Sequence, residues 1–229
     1  MTTQTLDYSL PLATLLREST KAAHTLVESS PGAVAMLNGQ LHKKEYIRYL
    51  MMLWHIYDAF EAALDHHATH PALESTYNPT LLARAPCLSA DIAFLFDVPE
   101  GSWKSHPAHA ALLDETPPAL TAYVTRIRIL ADSRDPTLLL AHSYVRYLGD
   151  LSGGQIIRRT LGKAYGLGLD EDVGNGLELY AFNELTSTKN AGLGEMKRIK
   201  EWFRAGLDTA GNLGADVKSK STYISLVSN

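Results

Sequence analysis

Apolar residues recur at spacings of three and four along most of this chain, and that period limits the fold more than any other feature. Tyr46, Leu50, Leu53, Tyr57, Phe60 and Leu64 fall on one face of a long helix, because a helical turn aligns every third and fourth side chain. Leu120, Tyr123, Val124, Ile127 and Leu130 repeat the pattern, and so do Leu140, Tyr144, Tyr147, Leu148 and Leu151. No sustained alternation of apolar and polar residues predicts a strand. Proline and glycine punctuate the periodic segments. Ser30-Pro31-Gly32 ends the first helix, residues 71–86 read as a loop or short helices around Pro71, Pro79 and Pro86, and Pro99 to Pro107 is a second break. Thr116-Pro117-Pro118 starts another helix, and Asp135-Pro136 supplies an N-cap followed by a first-turn proline. The expected fold is an all-α, single-domain bundle of roughly seven to nine helices, given ordinary helix lengths of about 11 residues.

A chain of 229 residues suits one domain, taken as 1–229 with its core at about 12–207. Hydrophobic residues at 45% and charged residues at 20% are ordinary for a soluble globular protein. A net charge of -4 gives no reason to expect a nucleic-acid partner. Cys87 is the single cysteine, which excludes an internal disulfide framework and favours a reducing compartment. Met1 to Pro11 lacks the basic start and apolar core of a signal peptide. No apolar run approaches the roughly 18–20 residues of a membrane span. The expected location is the cytoplasm, or a membrane surface if an anchor follows Ser225-Leu226-Val227.

Two stretches carry chemistry. In the first helix, Arg17, Lys21, His24 and Glu28 fall within an arc of roughly 60°. A mostly apolar stripe of Leu16, Thr20, Ala23 and Val27 lies beside them. Two cations, an imidazole and a carboxylate in line suit an amphiphilic anion with a metal at its centre. A neutral imidazole ligates through one ring nitrogen, and its other nitrogen then wants an acceptor such as Glu28. The same residues also fit a solvated helix face carrying a chance histidine.

The second stretch, His142 to Gln155, sets Gly149, Gly153 and Gly154 inside a helical pattern that continues through Ile156, Ile157 and Leu161. Each glycine costs a helix up to about 1 kcal/mol relative to alanine, so something compensates. Tight helix packing through Gly149-xxx-Gly153 is one reading, and a flat ligand lying against the backbone is the other. Asp150 sits among these glycines with Arg146 one turn earlier, and a buried carboxylate needs hydrogen-bonding neighbours or water.

Tyr144-Val-Arg-Tyr-Leu-Gly-Asp-Leu-Ser-Gly-Gly-Gln155 closely resembles the signature of the heme oxygenase family. Arg17-Glu-Ser-Thr-Lys-Ala-Ala-His24-Thr-Leu-Val-Glu28 resembles that family's proximal helix, and Leu53-Trp-His-Ile-Tyr57 is similar to a third block. The resemblance implies heme b held between the proximal helix and a kinked, glycine-rich distal helix. It implies His24 as the iron ligand, with Glu28 bonded to its free nitrogen. Gly149 and Gly153 would admit the ring, and Asp150 would hold an ordered water network with Tyr57, Tyr123 and Arg146. The implied reaction uses O2 and three rounds of reduction to convert heme to biliverdin, CO and ferrous iron. The electron donor would be a flavoprotein reductase or a ferredoxin. Arg17, Lys21 and Tyr144 would touch the heme edge, and Lys200-Glu-Trp-Phe-Arg204 fits a later basic pair of the family. Matching Arg204 suggests the α isomer. Gly192-Leu-Gly194 departs from the family pattern, which leaves Lys197 or Arg198 as substitutes for that pair.

Other candidates read as structural. His55 beside Trp54 suits a packed core histidine, His142 a structural one, and His66, His67 and His70 an exposed helix end. Lys43-Lys44 and Arg158-Arg159 with Lys163 read as solvated surface. The Glu-x-x-His pairs of a di-iron bundle do not occur. A heme carrier would need no proton-delivering carboxylate at Asp150.

Overall fold

The structure is a computed structural model that describes residues 7–167, 176–213, 220, 221 and 224. Ten α-helices occur among the described residues, two of them single turns, so the bundle is slightly more finely divided than the expected seven to nine. They are α1 (Leu12–Glu28), α2 (Pro31–Leu37), α3 (Lys43–His66), α4 (Pro71–Glu74), α5 (Pro79–Leu82), α6 (Ala85–Phe96), α7 (Pro107–Asp114), α8 (Pro118–Ala131), α9 (Leu139–Tyr165) and α10 (Leu193–Leu213). Three short 3-10 turns cover Glu100–Ser105, Pro136–Leu138 and Glu178–Tyr180. The prolines that interrupt the periodic pattern begin helices: α2, α4, α5, α7 and α8 each start on one. Proline fits that position because its missing N–H has no intrahelical partner there. Of strand structure the described residues hold one isolated bridge, Asn183 to Asn190.

Helix α3 is the centre of the bundle. Its expected face is buried in full, from Tyr46 through Leu50, Leu53, Tyr57 and Phe60 to Leu64, and it packs against α6 and α8. The most apolar stretch, residues 79–96, meets the length and hydropathy of a membrane span. In the fold it is two helices, α5 and α6, separated at Ala83-Arg84 and seated in the core. Buried Arg84 and Asp91 lie within it.

Helices far apart in sequence meet at glycines. A Cβ at Gly206 of α10 would stand 2.3 Å from the Ser75 carbonyl oxygen, and one at Gly211 would stand 2.6 Å from Leu12 Cβ. Those contacts dock α10 on the end of α4 and on α1. Asp208 Oδ1 accepts the Ala13 N–H at 2.9 Å, satisfying one of the donors that open α1.

Candidate active site

Helix α9 is met at two places, first by α1 and then by the chain just after α2. Near the start of α9, the Tyr144 hydroxyl lies beside Thr20 of α1, and the Arg17 and Arg204 cations lie close to that phenol. Farther along, a Cβ at Gly39 would stand 3.2 Å from Thr160 Cγ2 and 3.1 Å from Ala164 Cβ, which brings the residue after α2 onto α9. Between these closures the two helices present exposed walls. Every residue from Lys21 to Ser29 is exposed, and so are Gly149, Ser152, Gly153 and Ile156.

On the α1 wall, His24 Nδ1 lies 3.3 Å from Glu28 Oε2. A ring whose Nδ1 faces a carboxylate has its Nε2 for a metal. The anticipated apolar stripe is divided: Leu16 is buried, Thr20 is half-buried, and Ala23 and Val27 are exposed. Of the basic candidates, Arg17 donates to Glu18 at 2.9 Å, Lys21 and Arg204 are exposed, and Lys200 is half-buried. Helix α10 begins at Leu193, so the unusual Gly192-Leu-Gly194 marks its start.

The α9 wall separates the three glycines. The helix runs without interruption from Leu139 to Tyr165. Among the described residues no atom beyond the helix's own nearby backbone lies within 4 Å of a Cβ built at Gly149 or Gly153, whereas one at Gly154 would stand 2.8 Å from Tyr180 Cδ1. Helix packing through Gly149-xxx-Gly153 is therefore overturned, and Gly154 alone is a packing glycine. A flat group can lie along backbone at Gly149 and Gly153 where any side chain would hold it away.

Asp150 lies behind this wall. The Tyr57 hydroxyl donates to its Oδ2 in a short hydrogen bond. Burial lifts the Asp150 carboxyl to about 6, against the opposing Tyr57 hydrogen bond and Arg146 charge. Burial acts to lower the Arg146 guanidinium, and the surrounding Tyr123, Tyr57, Tyr49 and Asp150 outweigh it and raise it. Arg146 sits 5.4 Å over the Tyr123 ring. Tyr123 itself pairs with His142, hydroxyl to Nδ1 at 2.9 Å, so the structure brings Tyr57 to Asp150 directly and sets Tyr123 one residue away. Burial, then Arg146 and Arg126, pushes the His142 imidazole down to about 4. The buried Arg146 Nε and His142 Nε2 meet no partner among the described residues. Buried polar atoms of this kind are ordinarily met by water, so the donor set suits an ordered water cluster.

The residues present fit a heme. Helix α1 offers an imidazole backed by a carboxylate, α9 offers bare backbone at Gly149 and Gly153, and cations stand near Tyr144. Sequence reasoning did not single out Tyr49, Tyr180 or Gln155 near Asp150; only the glycine cost at Gly154 hinted at a close neighbour. His55 is a packed histidine, its Nε2 3.0 Å from Nε2 of His109.

Such a constellation, in an all-α bundle, has the chemistry of a helical heme site, with an imidazole–carboxylate pair on α1 and a buried carboxylic acid on α9. The model of the heme oxygenase family matches residues 10–216, and the chain belongs to that family. Heme oxygenase 1 of Nostoc sp. is 34% identical over 178 residues, 78% of this chain and 68% of the relative. Heme oxygenase 1 of Pongo abelii is 33% identical, over 77% of this chain and 56% of the relative. The chain thus spans between about half and two-thirds of the length of these relatives. The heme oxygenase of Leptospira interrogans superposes with a TM-score of 0.76 at 33% identity, covering 96% of this chain and 93% of the other. Heme oxygenase-2 of Synechocystis sp. PCC 6803, in complex with heme and NO, gives 0.77 at 29% identity over 96% and 80%.

Proposed function

We propose that this chain is a biliverdin-forming heme oxygenase: it binds heme b between α1 and α9 and cleaves the ring to biliverdin, CO and ferrous iron. The observation that carries the reading is the pairing of two walls. His24 with Glu28 stands on one, and Gly149 and Gly153, open to the slot and backed by the Asp150–Tyr57 pair, stand on the other. Heme bound there supplies the redox-active iron and the ring that is oxidised. His24 holds the metal, and Glu28 orients the imidazole and raises its basicity. Arg17, Lys21, Lys200 and Arg204, with Tyr144, meet the propionate edge and fix the ring's rotation, which favours the α isomer. O2 is the co-substrate, and a flavoprotein reductase or ferredoxin supplies the electrons. We place the protein in the cytoplasm, where a lone thiol such as Cys87 remains reduced.

Asp150 is the proton-handling group. A carboxyl near 6 exchanges its proton readily around neutral pH. Tyr57 occupies Oδ2 and fixes the carboxylate plane, leaving Oδ1 to organise water. Arg146, Tyr123 and His142 extend the polar surroundings along α9 and α8.

The test is to add one equivalent of hemin, then ascorbate in air with catalase present, and follow the visible spectrum and the extracted pigment. Loss of the Soret band with formation of one biliverdin isomer is expected. Asp150→Ala should slow it by on the order of a hundredfold, the scale of general acid–base catalysis. A heme complex that survives reduction and O2, and also a reductase system, would make the protein a carrier. An Asp150→Ala variant that turns over at the normal rate would remove the carboxylate from the mechanism.

A further inference from the structure

Residues 177–182 pack against the distal helix, and two buried ionisable side chains, Asp91 and Arg84, hold them. Asp91 accepts the N–H of Glu178 at 2.7 Å and of Leu179 at 2.8 Å. Arg84 donates to the carbonyls of Leu179, at 3.4 Å, and of Ala181. Its guanidinium also lies 4.1 Å over the Phe182 ring. Both charged side chains are almost wholly buried, at 0% and 4% exposure. Burying charge is expensive unless it is hydrogen-bonded; Arg84 also donates to the Leu81 and Leu82 carbonyls, so it ties the segment to the turn before α6.

That segment delivers two contacts to α9. The Tyr180 ring is 2% exposed and fills the place where a side chain at Gly154 would lie, with a built Cβ 2.8 Å from Cδ1 and 3.4 Å from Cε1. Gln155 Nε2 donates to the Tyr180 carbonyl at 2.8 Å and to the Asp150 carbonyl at 3.2 Å. One amide group thus ties the segment to the backbone of the residue that carries the carboxylate. A built Gly154 Cβ also lies 3.7 Å from Asp150 Cβ, so the ring packs on the helix turn that carries Asp150.

We propose that residues 177–182 form a brace that positions Asp150, with Tyr180 and Gln155 as the positioning residues through which it acts. The ring sets the height of the distal helix turn, and the amide fixes that turn's backbone direction. Gly154 is the contact surface for the brace, a role opposite to that of Gly149 and Gly153, which face the slot. The inference rests on the reading that Asp150 handles the reaction's protons.

The experiment compares Gly154→Ala, Gln155→Met and Tyr180→Phe with the native chain. Three readouts are taken: the pH titration of the Asp150 carboxyl ¹³C signal in heme-free protein, assigned by its loss in Asp150→Asn; the thermal midpoint; and hemin turnover. The ionisable groups facing Asp150 are Tyr57, Arg146, Tyr147, Tyr49, Tyr180 and Arg84. Gly154→Ala and Gln155→Met alter none of them, so a shifted titration reads position. Both variants should move it by about half a unit or more. Turnover should fall on the order of tenfold, as expected when a reacting group is misplaced by a fraction of an ångström. Tyr180→Phe keeps the ring and should keep the native titration and rate. If Gly154→Ala does not fold, Gln155→Met decides the matter alone. A lower thermal midpoint with an unmoved Asp150 signal and unchanged turnover would overturn the brace. A native chain that fails to turn over hemin, while the variants still move the Asp150 signal, would overturn the functional reading and leave the brace standing.

Discussion

Replacing Gly149 and Gly153 together by alanine separates what the distal helix needs for folding from what it needs for binding. Among the described residues neither position has an atom beyond the helix's own nearby backbone within 4 Å of a built Cβ, and both lie inside an unbroken helix. In heme-free protein the added methyl groups therefore cost no packing, and the helix gains propensity. At about 0.8–1 kcal/mol per site the pair should add about 1.5–2 kcal/mol. A chain of this size shifts by roughly 2–4 °C per kcal/mol, so the thermal midpoint should rise by about 3–8 °C. In the proposed binding mode the same two methyl groups stand against the ring, and overpacking a fitted surface costs about 1–3 kcal/mol, a loss in hemin affinity of roughly fivefold to a hundredfold. The assay is thermal denaturation of heme-free protein beside a hemin titration followed at the Soret band. A double variant less stable than the native protein would show that these glycines serve packing or bending. Unchanged affinity and turnover would show that heme does not lie along this wall.

Three further outcomes follow from the geometry. His24→Ala should leave the heme-free thermal midpoint within about 1–2 °C, since the side chain is 70% exposed and such surface changes stay within about 0.5 kcal/mol, while the axial-imidazole spectrum of the hemin complex is lost. Burial raises Asp91 from 3.8 to about 7, so the folded state binds a proton there that the unfolded chain releases. Stability from that group is full below about pH 4 and is lost as pH rises toward 7; Asp91→Asn should flatten the corresponding fall in thermal midpoint between those pH values. Gly206→Ala should destabilise by about 1–3 kcal/mol, because its Cβ would stand 2.3 Å from the backbone oxygen of Ser75; urea denaturation measures it.

Much of the bundle is legible in the sequence, because helical period and proline placement are local signals. The buried face of α3 is read residue by residue from Tyr46 to Leu64, and the prolines mark helix starts. The His24–Glu28 pair is legible for the same reason, since four residues make one turn. What sequence does not disclose is which side of α9 meets protein. Gly153 and Gly154 are neighbours with the same propensity cost, yet one faces the slot and the other faces Tyr180, 26 positions later. The pairing of Tyr123 with His142 and the double hold of Gln155 are likewise tertiary facts, invisible to periodicity. The stripe beside His24 shows the converse: Ala23 and Val27 have the right period for a core face and remain exposed.

The cap that Asp208 places on Ala13 bridges 195 positions of chain, and Gly211 rests on Leu12. The helix bearing His24 is thus secured by the helix made long after it. On a ribosome, which releases the chain at about 5–20 residues per second, α1 emerges early and waits on the order of ten seconds or more for its partner. The centre of the bundle can condense from local contacts in that interval, since short-range contacts form fastest. Helix α1, the wall proposed to bind the metal, is therefore seated only once α10 has emerged, some 195 residues later.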